Sequence, residues 1–207
     1  MSTKEILILN FGSGNFSSIS KMINAVGGTF RIGSSADEIN KSGKIILPGV
    51  GHFDRGMSML KSANIDDAIK ERVSKSGIPI LGICLGMQLL CSKSEEGVRP
   101  GLGLINADVK KLIFSKKEKL KVPHMGWNVV RSVIPNPLIE NNDEEKRYYF
   151  AHSYYVEPDD VKVVIGTTNY GNEFCSAFQK DNIFGVQFHP EKSHRFGMSL
   201  MKRFVEL

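Results

Sequence analysis

Cys84 stands between two glycines in the run from Pro79 to Leu90, PILGICLGMQLL. An apolar stretch with the look of a buried strand breaks at Gly82-Ile83-Cys84-Leu85-Gly86 and resumes with helical spacing. Glycine in such a run lowers stability unless the backbone needs it. A sharp strand-to-helix turn does need it, because a Cβ at either position would collide with neighbouring backbone. That turn is a nucleophile elbow, which lifts the side chain between the glycines above the sheet edge. A cysteine there also lies at a helix N-terminus, where the dipole and free N–H groups favour thiolate over thiol. The competing explanation is a buried cysteine in an ordinary strand-to-helix turn.

A thiolate nucleophile needs an acid–base partner, and GVQFHPEKS offers His189 at the end of an apolar β-run. Pro190 then stops the ladder, and Glu191 shares a face with His189 because side chains at i and i+2 do so in extended chain. Glu191 can therefore orient the imidazole, giving a Cys-His-Glu arrangement. Taken singly, a histidine after a strand is often a satisfied surface residue. His52, His124, His152 and His194 lack the paired carboxylate and rank lower as bases.

The third piece is IILPGVGHFD, Ile45 to Asp54, where a strand runs into Gly49-Val50-Gly51. An oxyanion hole combines the N–H of the residue after the nucleophile, here Leu85, with an N–H from a second loop. Val50 and Gly51 can supply that second donor, although a plain glycine turn would read the same way. Phe11 to Asn15, FGSGN, imitates a dinucleotide fingerprint but has Ser17 where the third glycine should stand. No GxxxxGK[ST] occurs, and the H-x-E at His189 lacks the P-C-x-x-C of a zinc deaminase. Neither a metal nor a cofactor is expected.

The elements that must position these residues alternate in the first half. Strands are expected at Ile6 to Asn10, Thr29 to Ile32, Lys44 to Leu47 and Ile78 to Ile83. Helices are expected at Asn15 to Val26, Met57 to Leu60, Ile65 to Ser74 and from Gly86 to Cys91. Such alternation predicts an α/β fold, a central parallel sheet covered by helices on both faces. Binding chemistry in these folds collects at the carboxyl ends of the strands. The second half reads as strands at Asp108 to Phe114, Asn128 to Val133, Arg147 to His152, Val161 to Thr167, Cys175 to Gln179 and Ile183 to Phe188. Short connections make several of these antiparallel. A helix from Arg195 to Val205 returns to cover the sheet.

With 207 residues and 41% hydrophobic content, one core and one domain, 1–207, are expected. No run reaches the roughly 20 apolar residues of a membrane span. The first ten residues read as a strand rather than a signal peptide, which points to a cytoplasmic protein. Three cysteines without a CxxC pair argue against disulfides and structural zinc. The formal charge of +5 comes largely from KKLIFSKKEKLK, Lys110 to Lys121, which reads as a solvated hairpin rather than a nucleic-acid site. NNDEE, Asn141 to Glu145, reads as an exposed loop.

PGVGHF, GICLGMQLL, SEEG, PHMGWN, YYFAHSYY and GVQFHPEKS, in this order from Pro48 to Ser193, closely resemble the class I glutamine amidotransferases, with a flavodoxin-like fold. Within them PHMGWN and HSY are most similar to the glutaminase subunits of imidazole glycerol phosphate synthase, from histidine biosynthesis. The resemblance implies Cys84 as nucleophile, His189 as acid and base, and Glu191 as its orienting partner. It also implies that Gln88 and Glu96 bind the substrate L-glutamine, with backbone groups of Gly51, Ser153 and Tyr154 completing the pocket. Asn15, Trp127 and Lys192 would flank the docking face for a (β/α)8-barrel cyclase subunit that receives the ammonia. An exposed Trp suits an interface anchor, and core packing is the other reading of Trp127.

KSHRFGM, Lys192 to Met198, and HSYY also fit relatives that deliver ammonia to an amino-sugar synthase of surface-polysaccharide biosynthesis. Two other classes stand beside these: a free-standing Cys-His hydrolase, and a non-catalytic flavodoxin-like binding module in which Cys84 is structural.

Overall fold

The computed structural model describes residues 5–115, 119–140, 142 and 144–207. The first half alternates as expected: β1 (Ile6–Leu9), α1 (Phe16–Ala25), β2 (Phe30–Gly33), α2 (Ala36–Lys41), β3 (Lys44–Gly49), α3 (Phe53–Ser62), α4 (Asp66–Ser76), β4 (Ile80–Cys84) and α5 (Leu85–Leu89). There follow β5 (Lys93–Ser94), β6 (Ala107–Lys111), β7 (His124–Ser132), β8 (Lys146–His152), β9 (Tyr154–Pro158), β10 (Val164–Tyr170), β11 (Asn172–Lys180), β12 (Ile183–Val186) and α6 (His194–Glu206).

The main sheet runs β2-β1-β3-β4-β12-β11-β10-β7-β8. Its first five strands pair in parallel, and from β12 to β8 every pair is antiparallel. A side layer joins β5 to β6, β6 to β9 and β9 to β11. Apart from the edge strand β2, the parallel strands are buried on both faces, as the continuous apolar runs require. Leu7 and Leu9 of β1 face one core with Phe53, Leu60, Ile69 and Val73 of α3 and α4. Ile6 and Ile8 face the other with Ile19 and Ile23 of α1 and Leu200 and Phe204 of α6. The strand period of two thus divides the helices between the two faces.

Several elements differ from expectation: β5 is not among the expected strands, α3 and β7 begin four residues early, at Phe53 and His124, and three further cases have a clear local cause. Helix α2 is six residues long and buries only Ile39, so it carries little periodicity. Its signal is the capping box of Ser35 and Glu38, which satisfies the first amides of the helix. Strand β9 begins one residue after β8 ends, so the two run together in sequence as one polar–apolar stretch. The strand expected at Val161 to Thr167 starts at Val164, because Asp160 caps a 3-10 turn over Val161–Val163.

Residues 116–118 of the lysine-rich stretch and 141 and 143 of the acidic one lie outside the described residues. Of the remainder, Lys110 pairs with Glu95 and Asp108, each at 3.5 Å, and in place of a local hairpin Lys110 and Lys111 end β6, opposite Tyr155 and Tyr154 of β9. No helix among the described residues is long and apolar enough to cross a membrane.

Candidate active site

Strands β4 and β12 lie side by side in parallel, with Ile83 opposite Val186. One residue further, Cys84 and Gln187 emerge next to each other at the carboxyl edge of the sheet, and His189 follows two residues on. The topology thus brings together groups 105 positions apart in the chain (189 − 84).

Cys84 sits at φ 54°, ψ −110°, a backbone conformation rarely taken by a residue with a side chain. The glycines explain how the turn is held. A Cβ on Gly86 would lie 1.7 Å from the Leu47 carbonyl oxygen, and one on Gly82 would lie 2.7 Å from backbone atoms of Gly86 and Met87. The elbow is therefore a close fit of three backbones. Helix α5 is short, so the free amides at its start favour an anion at Cys84 more than any long axial dipole would.

His189 is held by hydrogen bonds. Its N–H donates to the Tyr149 carbonyl at 2.8 Å, and its own carbonyl accepts from Ser193 Oγ at 2.6 Å. The Nδ1 atom is 2.8 Å from Glu191 Oε1, with both side chains almost wholly buried. Burial opposes a charge on this ring, but its hydrogen bonds to Cys84 and Glu191 outweigh it and hold the proton on well above the ordinary pH range of histidine. The far nitrogen thus serves the sulfur while the near one is fixed by the carboxylate.

Cys84 and His189 line a cleft of ≈ 390 Å³ with Val50, Gly51, Leu85, Gln88, Glu96, Ser153, Tyr154 and Lys192. All the substrate-pocket residues expected from the sequence converge here. Glu96 Oε2 accepts the Phe53 N–H at 2.7 Å, so the first amide of α3 aims the carboxylate. Gln88 donates from Nε2 to the Tyr154 carbonyl at 3.2 Å and to Gln187 Oε1 at 3.0 Å. The Tyr154 carbonyl is thereby used within the wall, as is the Ser153 carbonyl, which accepts from Leu112 N–H. Val50 N–H donates to Ser13 Oγ at 2.9 Å, so this amide of the expected oxyanion hole is engaged by the FGSGN loop. The end of β3 lies against the elbow, since a Cβ on Gly49 would be 3.0 Å from Gly86 N.

Of the residues expected at a docking face, Trp127 is 42% exposed, which excludes core packing. It stacks on His194 at 5.3 Å and meets Tyr149 edge-on, and Lys192 lies over the Tyr149 ring. Met125 and Val50, which line the cleft with Lys192, are exposed as well. Asn15 instead has a local duty, capping α1 through Ser18 N–H.

The other histidines are accounted for. His52 caps α3, and His194 stacks on Trp127. His124 and His152 form a buried pair, Nδ1 to Nε2, at 2.9 Å. Sequence reasoning missed that pair and Gln187, which lies 3.7 Å from the Cys84 sulfur. The available signal was an amide in the apolar run Gly185 to Phe188, since a buried amide needs partners. No cluster able to hold a metal ion occurs among the described residues.

The model of the family described as Glutamine amidotransferase class-I matches residues 7–207. The chain is 51% identical to "Imidazole glycerol phosphate synthase subunit HisH 2" of Methanococcus maripaludis, covering 97% of this chain and 98% of the relative. It is 44% identical to the protein of the same name from Pseudomonas aeruginosa, with 98% and 99% covered. A crystal structure described as a glutamine amidotransferase superposes with a TM-score of 0.75 over 97% of both chains, at 17% identity, which speaks for the fold. An elbow cysteine, a histidine–glutamate pair across the neighbouring strand and this likeness along the whole chain lead to one conclusion: the protein is an enzyme of the class I glutamine amidotransferase family.

Proposed function

We propose that the chain hydrolyses L-glutamine to glutamate and ammonia through a Cys84 thioester, and passes the ammonia to a (β/α)8-barrel cyclase in the histidine pathway. The observation that carries the chemistry is the buried His189–Glu191 pair, whose imidazole shares a cleft with a cysteine on a strained turn. The names of the relatives support the pathway.

The sulfur attacks the substrate's side-chain amide carbon, forming the S–C bond as the C=O electrons move to oxygen. Amides of Leu85 and Gly51 steady that oxygen, and Val50 joins them only by exchanging its Ser13 bond. His189 gives its proton to the leaving nitrogen, and ammonia departs. His189 then takes a proton from water, which attacks the thioester and releases glutamate and the thiolate. Glu96 faces the α-amino group and Gln88 the rest of the amino-acid head. Ammonia is a nucleophile only while unprotonated, so it travels to the second site without entering bulk water, across the face carrying Trp127 and Lys192.

A second reading gives the ammonia to an amino-sugar synthase. It rests on the segment KSHRFGM, whose His194 stacks on the exposed Trp127.

The test mixes the protein with a purified histidine-pathway cyclase and, separately, with an amino-sugar synthase, and measures glutamate release. Stimulation by the cyclase alone supports the first reading, and by the other synthase alone the second. In the responding complex, Cys84→Ala and His189→Ala should abolish glutamine-dependent synthesis and spare ammonia-dependent synthesis. Glu191→Gln should lose less than His189→Ala, because the carboxylate orients the ring without touching substrate. Hydrolysis of peptides or esters without any synthase would point to a free-standing hydrolase. Glutamine affinity without any turnover would point to a binding module.

A further inference from the structure

Gln187 is completely buried, and its side chain is fixed at both ends. Its Oε1 accepts from Gln88 Nε2 at 3.0 Å, and its Nε2 lies 3.7 Å from the Cys84 sulfur. The orientation is dictated by what lies behind it. The Tyr154 carbonyl can only accept, so Gln88 turns its NH2 to that oxygen and to Gln187. Gln187 must then present its oxygen to Gln88 and its N–H to the sulfur.

The Tyr154 carbonyl is itself fixed by His152 Nδ1 at 2.7 Å. His152 Nε2 is thereby an acceptor, and it takes the Nδ1 proton of His124. His124 Nε2 accepts in turn from Asn128 Nδ2 at 3.2 Å, and that amide also donates to the Asn169 carbonyl. The Tyr154 carbonyl accepts from both His152 and Gln88, so the histidine pair holds the carbonyl in place and the carbonyl sets the sense of the two amides that lead to the nucleophile.

The sulfur has a competing neighbour. The Ala151 carbonyl lies 4.0 Å away, an acceptor that suits a thiol and repels an anion. A donor on the other side is needed to hold the thiolate, and a hydrogen bond to a charged group is among the stronger ones.

We infer that Gln187 is a catalytic residue of the glutaminase, its amide N–H holding the Cys84 sulfur as the anion, with Gln88 and the His124–His152 pair as positioning residues that fix the sense of that amide. The inference rests on the glutaminase reading for its purpose, but its test needs neither glutamine nor a synthase, so the two fail separately.

The rate of alkylation by iodoacetamide is measured against pH on the full chain, with modification assigned to Cys84 by mass spectrometry. Burial pushes the thiols of Cys91 and Cys175 up, the latter to about 12, so neither competes at neutral pH. The charged and titratable groups sharing the cleft are His189 with Glu191 behind it, His152, Tyr154, Glu96 and Lys192, and all stay in place in the variants.

Gln187→Met removes the donor. Gln187→Glu keeps the shape and the acceptor for Gln88 but offers no N–H. Gln88→Glu touches no sulfur, yet its carboxylate accepts from Gln187 and turns that amide round. Each should move the midpoint of Cys84 alkylation upward by about one pH unit or more. In the active complex the Gln187 variants should lower kcat about tenfold with KM nearly unchanged. An alkylation profile like wild type in Gln187→Glu, or in Gln88→Glu with its native circular dichroism, overturns the inference. So does a loss confined to KM.

Discussion

The two halves of the active site are held in different ways. On the nucleophile side, the turn after β4 is locked by contact: the Gly86 Cα packs against Leu47, and Cys84 takes a rare backbone angle as a result. On the base side, His189 is extended but Pro190–Lys192 turn in a 3-10 helix, so Glu191 reaches the ring from that turn and not along an extended chain, and the segment is held by hydrogen bonds with Tyr149, Ser193 and Glu191. Steric locks fail abruptly, because repulsion rises steeply with overlap. Hydrogen-bonded positioning fails by degrees, because each bond is modest and neighbours share the load.

The largest effect should follow from Gly86→Ala. The new methyl would overlap the Leu47 carbonyl, so β3 and α5 must part, at a cost of about 3 kcal/mol. Urea unfolding should show the loss, and glutaminase activity should vanish with it. A variant of wild-type stability would show that contact does not set the elbow.

Ser193→Ala tests the other side. The wholly buried hydroxyl donates to the His189 carbonyl and accepts from Tyr149 N–H. Its removal should cost about 1–3 kcal/mol, while glutamine turnover falls but persists. Total inactivity of a folded protein would place the base side in the same all-or-none class as the elbow.

The buried histidine pair extends that directed network, and its protonation should break it. Burial lowers His124 to about 4 and His152 to about 3. Below the ordinary 6.5 the unfolded chain therefore binds protons that the folded one refuses. Stability contributed by the pair is full above that value and falls as pH drops through the window toward the folded values. Urea midpoints should decline from pH 6.5 to about pH 5, before carboxylates respond, and His124→Asn with His152→Asn should flatten that slope.

The smallest effect is expected from Ser13→Ala, which breaks the two hydrogen bonds between the Ser13 hydroxyl and the Val50 N–H and carbonyl on the contact side. Freeing Val50 N–H should raise glutaminase activity measured without a synthase several-fold, about 1 kcal/mol. An unchanged or lower rate would mean that Val50 takes no part in stabilising the oxyanion.

The difference between the halves also decides what could be read from the sequence. The elbow was legible because steric demands select glycine, and glycine in an apolar run is conspicuous. His189 and Glu191 were legible because their bond is local, two residues apart. The alternating elements of the first half showed because their signals are local too, the longer helices being amphipathic and β1, β3 and β4 being continuous apolar runs. Gln187, His124 and His152 were not legible, since their partners come from α5, β7, β8 and β9, and no spacing records a register between strands. Helix α2 and strand β9 escaped because each buries a single apolar residue, Ile39 and Val156. Ser13 looked like part of a failed nucleotide motif until the fold placed it beside Val50.

Strand β12 enters the sheet between β4 and β11, so the last piece of the catalytic apparatus is threaded in from far along the chain. During synthesis the cysteine leaves the ribosome long before the imidazole does. A polypeptide that stops before β12 has the cysteine but neither His189 nor Glu191. Glutamine in the cell is therefore safe from fragments and from chains that stall, and ammonia release begins only when synthesis has passed the final strand.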